Sequence, residues 1–276
     1  MTRMAALLPL LLLAACSKSP DQAAPSAPAN TAGATAVANA AQDGASAIAS
    51  SSSAGVKIDE NGKLFHFAYA YPAQAAAIPA LKAQLDAEKD KARSALVDEA
   101  QQGRDAAKGS GIDFNPYDRS TAWSVVTDLP GWLSLKGESY DFSGGAHGNS
   151  GTVQLLWDKT AGRTRESLAL FTSKAAFDAA LGQAYCAALN AQRSERREEK
   201  VNPARSDQFD KCLLPSEVTV LLGSGDKAHF TRIGLIADPY MAGPYVEGSY
   251  EVTLPVTLAL IKAVKPEYRS AFAVGR

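Results

Sequence analysis

The sequence predicts an α+β fold in which antiparallel sheets pack against two main helices, and three observations carry that expectation. Short segments with a two-residue apolar period recur, and consecutive ones are joined by short turns, which favours antiparallel pairing over a parallel α/β sheet. Two longer segments place apolar residues three to four apart, the period of a helix buried on one face. The residues from Val56 to Arg276 suffice for one large or two small domains with a sizeable core. The expected organisation is a leader over 1–16, a linker over 17–55, and two related or intimately packed halves, 56–163 and 164–276.

The leader carries a positive charge at Arg3, continues as an apolar run from Ala5 to Ala14, and ends in Leu13-Ala14-Ala15-Cys16. That is the pattern of a secretion signal, and the run is too short to span a bilayer. Its ending resembles the bacterial lipobox, which implies cleavage before Cys16 and acylation of that cysteine. The alternative is an ordinary secretory peptide with an incidental Cys16. Ser17 in place of an aspartate resembles the outer-membrane sorting rule of proteobacterial lipoproteins. The expectation is a periplasmic body whose membrane partner is reached through a lipid anchor, on the outer membrane; several acyl chains together give stable attachment. From Ser17 to Gly55 the chain is mostly Ala, Ser, Pro, Thr and Gly, with no aromatic residue and only Lys18, Asp21 and Asp43 charged, so it cannot bury enough apolar surface to offset its ordering entropy. It reads as a tether with a reach on the order of 35 Å.

The folded body opens at Lys63 to Tyr71, where Phe65, Phe67, Tyr69 and Tyr71 alternate as in a strand that Pro72 ends. Pro79 suits a helix start, and Leu81, Leu85, Ala92, Leu96 and Ala100 line one face of a helix that stops at Gly109-Ser110-Gly111. Strand candidates follow at Ala122 to Thr127, Trp132 to Leu135, Glu138 to Phe142 and Thr152 to Trp157, punctuated by Pro130-Gly131 and the glycines from Gly144 to Gly151. Thr172-Ser173 can cap a second helix whose apolar face holds Phe177, Leu181, Tyr185 and Leu189. Strands resume at Val218 to Leu222, His229 to Ile236 and Ser249 to Val256, before a short final helix with Leu258, Ile261 and Ala263.

Charge narrows the partners. The chain has 28 basic and 29 acidic residues, and its densest charge run, Arg193 to Lys200, mixes both signs as a solvated helix face would. Nucleic acid is therefore not an expected partner, since phosphate recognition shows as a basic excess or stripe. With Cys16 assigned to the anchor, Cys186 and Cys212 remain, and an oxidising compartment allows them to pair; two buried free thiols are the alternative. Their spacing lacks the short pairs of structural zinc. His66, His147 and His229 are scattered, with no motif spacing for a metal, so neither metal nor cofactor is expected.

Two apparent motifs dissolve on inspection. Gly148-Asn149-Ser150-Gly151 imitates a serine-nucleophile turn, but it joins two strand candidates and opens no helix. Gly223-Ser224-Gly225 imitates a dinucleotide-binding turn and is better explained as a tight hairpin. The candidate contact residues are instead His147 and Asn149, in a segment shaped by glycines, and Tyr240 and Tyr245, in a turn braced by Pro239 and Pro244. The bland readings are that His147 bonds to a backbone carbonyl at a bulge, and that the tyrosines plug a sheet edge. No catalytic residue is expected; the enzymatic alternative is an envelope hydrolase or deacetylase using His147 with an acid such as Asp141 or Glu138.

The Gly144-Gly145-Ala146-His147-Gly148-Asn149 segment, the Arg165 to Phe171 segment read as opening the second helix, and the Pro239-Tyr240…Gly248…Pro255 block resemble one family. It is the RsiV-like extracellular module, found in a lysozyme-sensing anti-sigma factor and beside the catalytic domain of the peptidoglycan deacetylase PdaC. The resemblance spans about Lys57 to Ala273. It implies a non-catalytic, envelope-facing α+β module that binds a lysozyme-like muramidase or peptidoglycan. A purely structural envelope lipoprotein is a further alternative. The anti-sigma role is not implied, because the sequence holds no sigma-binding segment or transmembrane helix. Deacetylation is not implied either, because it holds no catalytic domain with a metal-binding histidine pair.

Overall fold

A computed structural model describes residues 55–202 and 208–276, so the leader, Cys16 and all of the tether but Gly55 lie outside the described residues. Among the described residues, nine strands form two sheets. The larger contains β1 (Val56–Asn61), β2 (Phe65–Tyr71), β3 (Tyr117–Asp128), β4 (Trp132–Phe142), β5 (Asn149–Asp158) and β6 (Arg163–Arg165), side by side in chain order. The smaller contains β7 (Thr219–Gly223), β8 (Arg232–Ala237) and β9 (Tyr250–Pro255), all antiparallel.

The expected all-antiparallel pairing needs one correction: β2 and β3 run parallel, with Phe65 opposite Tyr117. The reason lies in the chain between them. A four-residue helix, α1 (Ala73–Ala76), leads into α2 (Pro79–Ser110), whose 32 residues carry the chain back across the sheet. Such a crossover is what parallel neighbours require. Pro79 occupies the first turn of α2, and Gly111 ends the helix in a left-handed conformation, φ 69°. The candidates Trp132 to Leu135 and Glu138 to Phe142 are one strand, β4, within which Gly137 pairs with Trp123. Two strands escaped the sequence reading, β1 and β6, because each is a short edge strand with charged residues on one face.

Strand alternation sends neighbouring residues to two cores. On one face of the large sheet, Phe67, Tyr69, Tyr71, Trp123, Leu133, Leu135, Leu155 and Trp157 bury against Leu81, Leu85 and Leu96 of α2. From the other face, Trp132 and Leu156 join a second core with the small sheet, α3 (Lys174–Arg197) and α4 (Leu258–Ala263). The two sheets also meet through a side chain, Thr219 Oγ1 on β7 donating to the Thr152 carbonyl on β5 at 2.9 Å.

Helix α3 starts where its cap predicts: Ser173 Oγ accepts the Ala176 amide at 3.0 Å. Contrary to expectation, the Arg165 to Phe171 segment does not open this helix: Arg165 ends β6 and Ser167–Leu170 form a 3₁₀ turn ahead of it. Cys186 on α3 is disulfide-bonded to Cys212. The second correction concerns Arg193 to Lys200. Arg193 is 0% exposed, and Arg197 packs into the same interior, so the run is not a solvated face at its start. Among the described residues no helix is long and apolar enough to cross a membrane, and no group of three or more His, Cys, Asp and Glu side chains is placed to hold a metal ion.

Candidate functional site

Two loops that are far apart in sequence meet beside the start of β5. The first, Ser143 to Gly148, joins β4 to β5 and takes left-handed backbone at Gly144 and Gly145. The second joins β8 to β9 and contains the β-turn Asp238-Pro239-Tyr240-Met241, closed by the Met241 amide on the Asp238 carbonyl at 3.0 Å. Pro239 supplies the fixed φ of the first central position, and the second central position requires positive φ. Tyr240 occupies it with φ 70°, where a glycine or asparagine would be unstrained.

The tyrosines and the histidine form one aromatic group. The rings of His147 and Tyr245 stack with centroids 4.0 Å apart and planes 18° apart. Tyr240 tilts against Tyr245 at 5.6 Å and its hydroxyl stands 3.5 Å from His147 Nε2. Tyr245 Oη donates to the Gly148 carbonyl at 2.9 Å, the same oxygen that His147 Nδ1 meets at 2.9 Å. Tyr240 leaves 54% of its surface exposed, so the group presents aromatic area to solvent.

The support beneath it is built from residues that the sequence reading had not singled out. Gly148 is buried against the Tyr140 ring, and a Cβ there would lie 2.4 Å from Tyr140 Oη, so no other residue fits without displacing the ring. Burial, with the charge of Asp118 and the neighbouring Tyr245 adding to it, raises the pKa of Tyr140. Asp238 reaches from the second loop to β5, its Oδ2 accepting the Thr152 amide at 3.0 Å, while its Oδ1 is buried without a hydrogen-bond partner. The sequence signal for these roles was faint: Tyr140 is one aromatic in a strand, and Asp238 reads as an ordinary turn residue before proline.

Each nominated residue can be placed. His147, Tyr240 and Tyr245 come together. Asn149 is exposed at the head of β5, opposite Asp141, and alternation turns it to the sheet face away from Tyr140. His147 does bond to a backbone carbonyl, though in a loop and not at a bulge. The acids proposed as its catalytic partners are engaged elsewhere: Asp141 pairs with Arg119 at 2.6 Å and Glu138 with Lys136 at 3.0 Å. The other histidines have carboxylate partners, His66 with Asp59 and Asp118, and His229 with Asp226. The Gly223 to Gly225 segment starts a turn in which the Gly225 amide donates to Thr231 Oγ1 at 2.7 Å; it spans more residues than a tight hairpin.

Residues 58–150 match the family model described as deacetylase PdaC. The match takes in the Gly144 to Asn149 segment and ends one residue later. Two solved structures are similar in shape. One is a member of the DUF3298 family from Bacteroides fragilis, at 18% identity with a TM-score of 0.49, covering 73% of this chain and 88% of its own. The other is a DUF3298 family protein from Pseudomonas aeruginosa, at 17% identity with a TM-score of 0.49, covering 80% of this chain and 96% of its own. Neither likeness bears on activity. No curated protein matches the sequence.

Proposed function

We propose, taking the PdaC match over residues 58–150 as premise, that this chain is a lipid-anchored, periplasm-facing binding module. It docks a lysozyme-like muramidase, or peptidoglycan itself, on the surface formed by His147, Tyr240 and Tyr245. The observation that carries this reading is Tyr240: a half-exposed aromatic residue kept at φ 70° on a proline-braced turn. Strain of this kind costs about 1–3 kcal/mol and persists only where the surroundings over-determine it, which is characteristic of ligand clamps. Tyrosine also supplies large contact area at low cost in side-chain entropy. A plug over a sheet edge would have no need of an exposed ring.

The reading is of a binding module and not of an enzyme, and the engagement of Asp141 by Arg119 supports that choice. The test is a pair of binding measurements on the purified chain, with lysozyme and with purified peptidoglycan, alongside an assay for released acetate. Binding to at least one probe is expected, weakened roughly tenfold or more by Tyr240→Ala, since truncating a central aromatic hot spot costs about 2 kcal/mol or more. Binding to neither would end this reading. Acetate release abolished by His147→Ala would replace it with the enzymatic alternative.

A further inference from the structure

The loop that carries Tyr240 and Tyr245 is gripped from its far side by helix α3. Arg193, fully buried, donates from Nε to the Ala242 carbonyl at 2.8 Å and from Nη1 to the Lys211 carbonyl at 3.0 Å and Asn190 Oδ1 at 2.9 Å. Arg197, one turn on, reaches the same Ala242 oxygen at 3.2 Å. It also closes a two-pronged pair on Glu247, at 2.8 and 3.0 Å, and bonds Asp210 at 2.9 Å. Tyr250 Oη donates to Glu247 as well, and Arg196 lies over the Tyr250 ring at 4.0 Å. The loop folds so closely over Glu247 that a Cβ at Gly243 would fall 2.0 Å from Glu247 Oε2.

Two features separate this network from generic core packing. Arg193 meets only neutral acceptors, and its Nη2 is buried with no partner, so burial lowers its pKa and the neighbouring positive Arg197 adds to the effect. A buried guanidinium in that state is a poor choice for stability alone, because an apolar side chain of similar volume often serves the fold equally well. Its Nε bond instead reaches a loop carbonyl two residues beyond Tyr240, that of Ala242, while Nη1 is held by Lys211 and Asn190. On the loop's other side, Asp238 and Tyr245 bond to Thr152 and Gly148. The strained turn thus hangs between two anchored sides.

We propose that Arg193 and Arg197 are positioning residues for the aromatic surface: their joint hold on Ala242 and Glu247 sets the loop so that Tyr245 stacks on His147. The proposal deepens the binding role and rests on it. A surface fixed before contact loses less freedom on binding, and that is what the grip supplies.

The test needs no ligand. In the full chain, two nuclear magnetic resonance signals report the loop directly: the His147 ring proton, shifted by the Tyr245 ring current, and exchange of the Thr152 amide held by Asp238. Arg197→Gln is expected to move the His147 signal at least halfway to its value in Tyr245→Ala and to speed Thr152 exchange at least tenfold, with cooperative unfolding retained. Arg197→Lys should restore part of both. Glu247→Gln loosens the same grip without touching either arginine and should reproduce the effect. Folded variants with both signals unmoved would overturn the proposal, as would loss of cooperative folding in all three, since arginine and glutamate would then serve the fold and not the loop. A wild type that binds neither lysozyme nor peptidoglycan counts against the binding role alone, because both readouts are taken on free protein.

Discussion

Tyr240 concentrates the conflict between stability and recognition in one residue. Replacing it with glycine removes the strain of positive φ, worth about 1–2 kcal/mol, and increases unfolded-state freedom, worth about 0.5–1 kcal/mol in the other direction. Tyr240→Gly is therefore expected to leave stability unchanged or raise it by up to about 1.5 kcal/mol while weakening binding at least tenfold; urea denaturation and a binding titration on the same sample check it. A marked loss of stability would mean that the ring is a packing residue. His147, Tyr240 and Tyr245 were nameable in the sequence from a histidine among glycines and tyrosines braced by prolines, but their stacking into one group was not, because it depends on two loops meeting although His147 and Tyr240 lie 93 residues apart. Arg193 was not legible, although its position was: Phe177, Leu181, Tyr185 and Leu189 continue at the same four-residue step to Arg193. Charge argued for solvent, and only the carbonyls converging from Ala242 and Lys211 explain why a guanidinium is accepted inside.

At the scale of elements, capping and cross-linking give two separable stability effects on α3. Ser173→Ala removes the bond to the Ala176 amide and is expected to cost about 1 kcal/mol, read as a lower urea midpoint with an unchanged slope. The Cys186–Cys212 disulfide closes a loop of sequence separation 26, which in the chain-entropy view stabilises the fold by about 3.5 kcal/mol. The double Cys186→Ser, Cys212→Ser variant should lose most of that, and an unchanged midpoint would show that the bond constrains little. Most element boundaries were readable from period and punctuation: Pro79, the Gly109 to Gly111 stop and the Ser173 cap all fall where the structure has them. The parallel β2–β3 pair was missed because pairing direction depends on where α2 delivers the chain, and strand residues themselves carry no mark of it. The edge strands β1 and β6 were missed because charges that discourage edge pairing also blur the two-residue period.

At the scale of the whole molecule, pH and anchorage each give an expectation. His66 joins three strands, meeting Asp59 on β1 at 3.2 Å and Asp118 on β3 at 3.0 Å. Burial works against its charged form, but hydrogen bonds and charge from Asp118, and then from Asp59, outweigh it and raise its pKa. A raised histidine pKa contributes stability that is complete below the ordinary value of about 6.5 and is lost as pH rises through the folded-state value. Wild type should therefore lose stability relative to His66→Asn as pH rises above about 6.5, and parallel stability curves for the two would contradict this. If Cys16 carries the lipid, Cys16→Ala should move the protein from the membrane to the soluble fraction. The central claim is that His147, Tyr240 and Tyr245 form the contact surface, and amide and ring chemical-shift mapping during titration with lysozyme and with soluble peptidoglycan fragments tests it most directly. The expected result is perturbation centred on His147, Gly148, Tyr240 and Tyr245 with one of the two probes. Perturbation confined to residues away from both loops, or none with either probe, would contradict it.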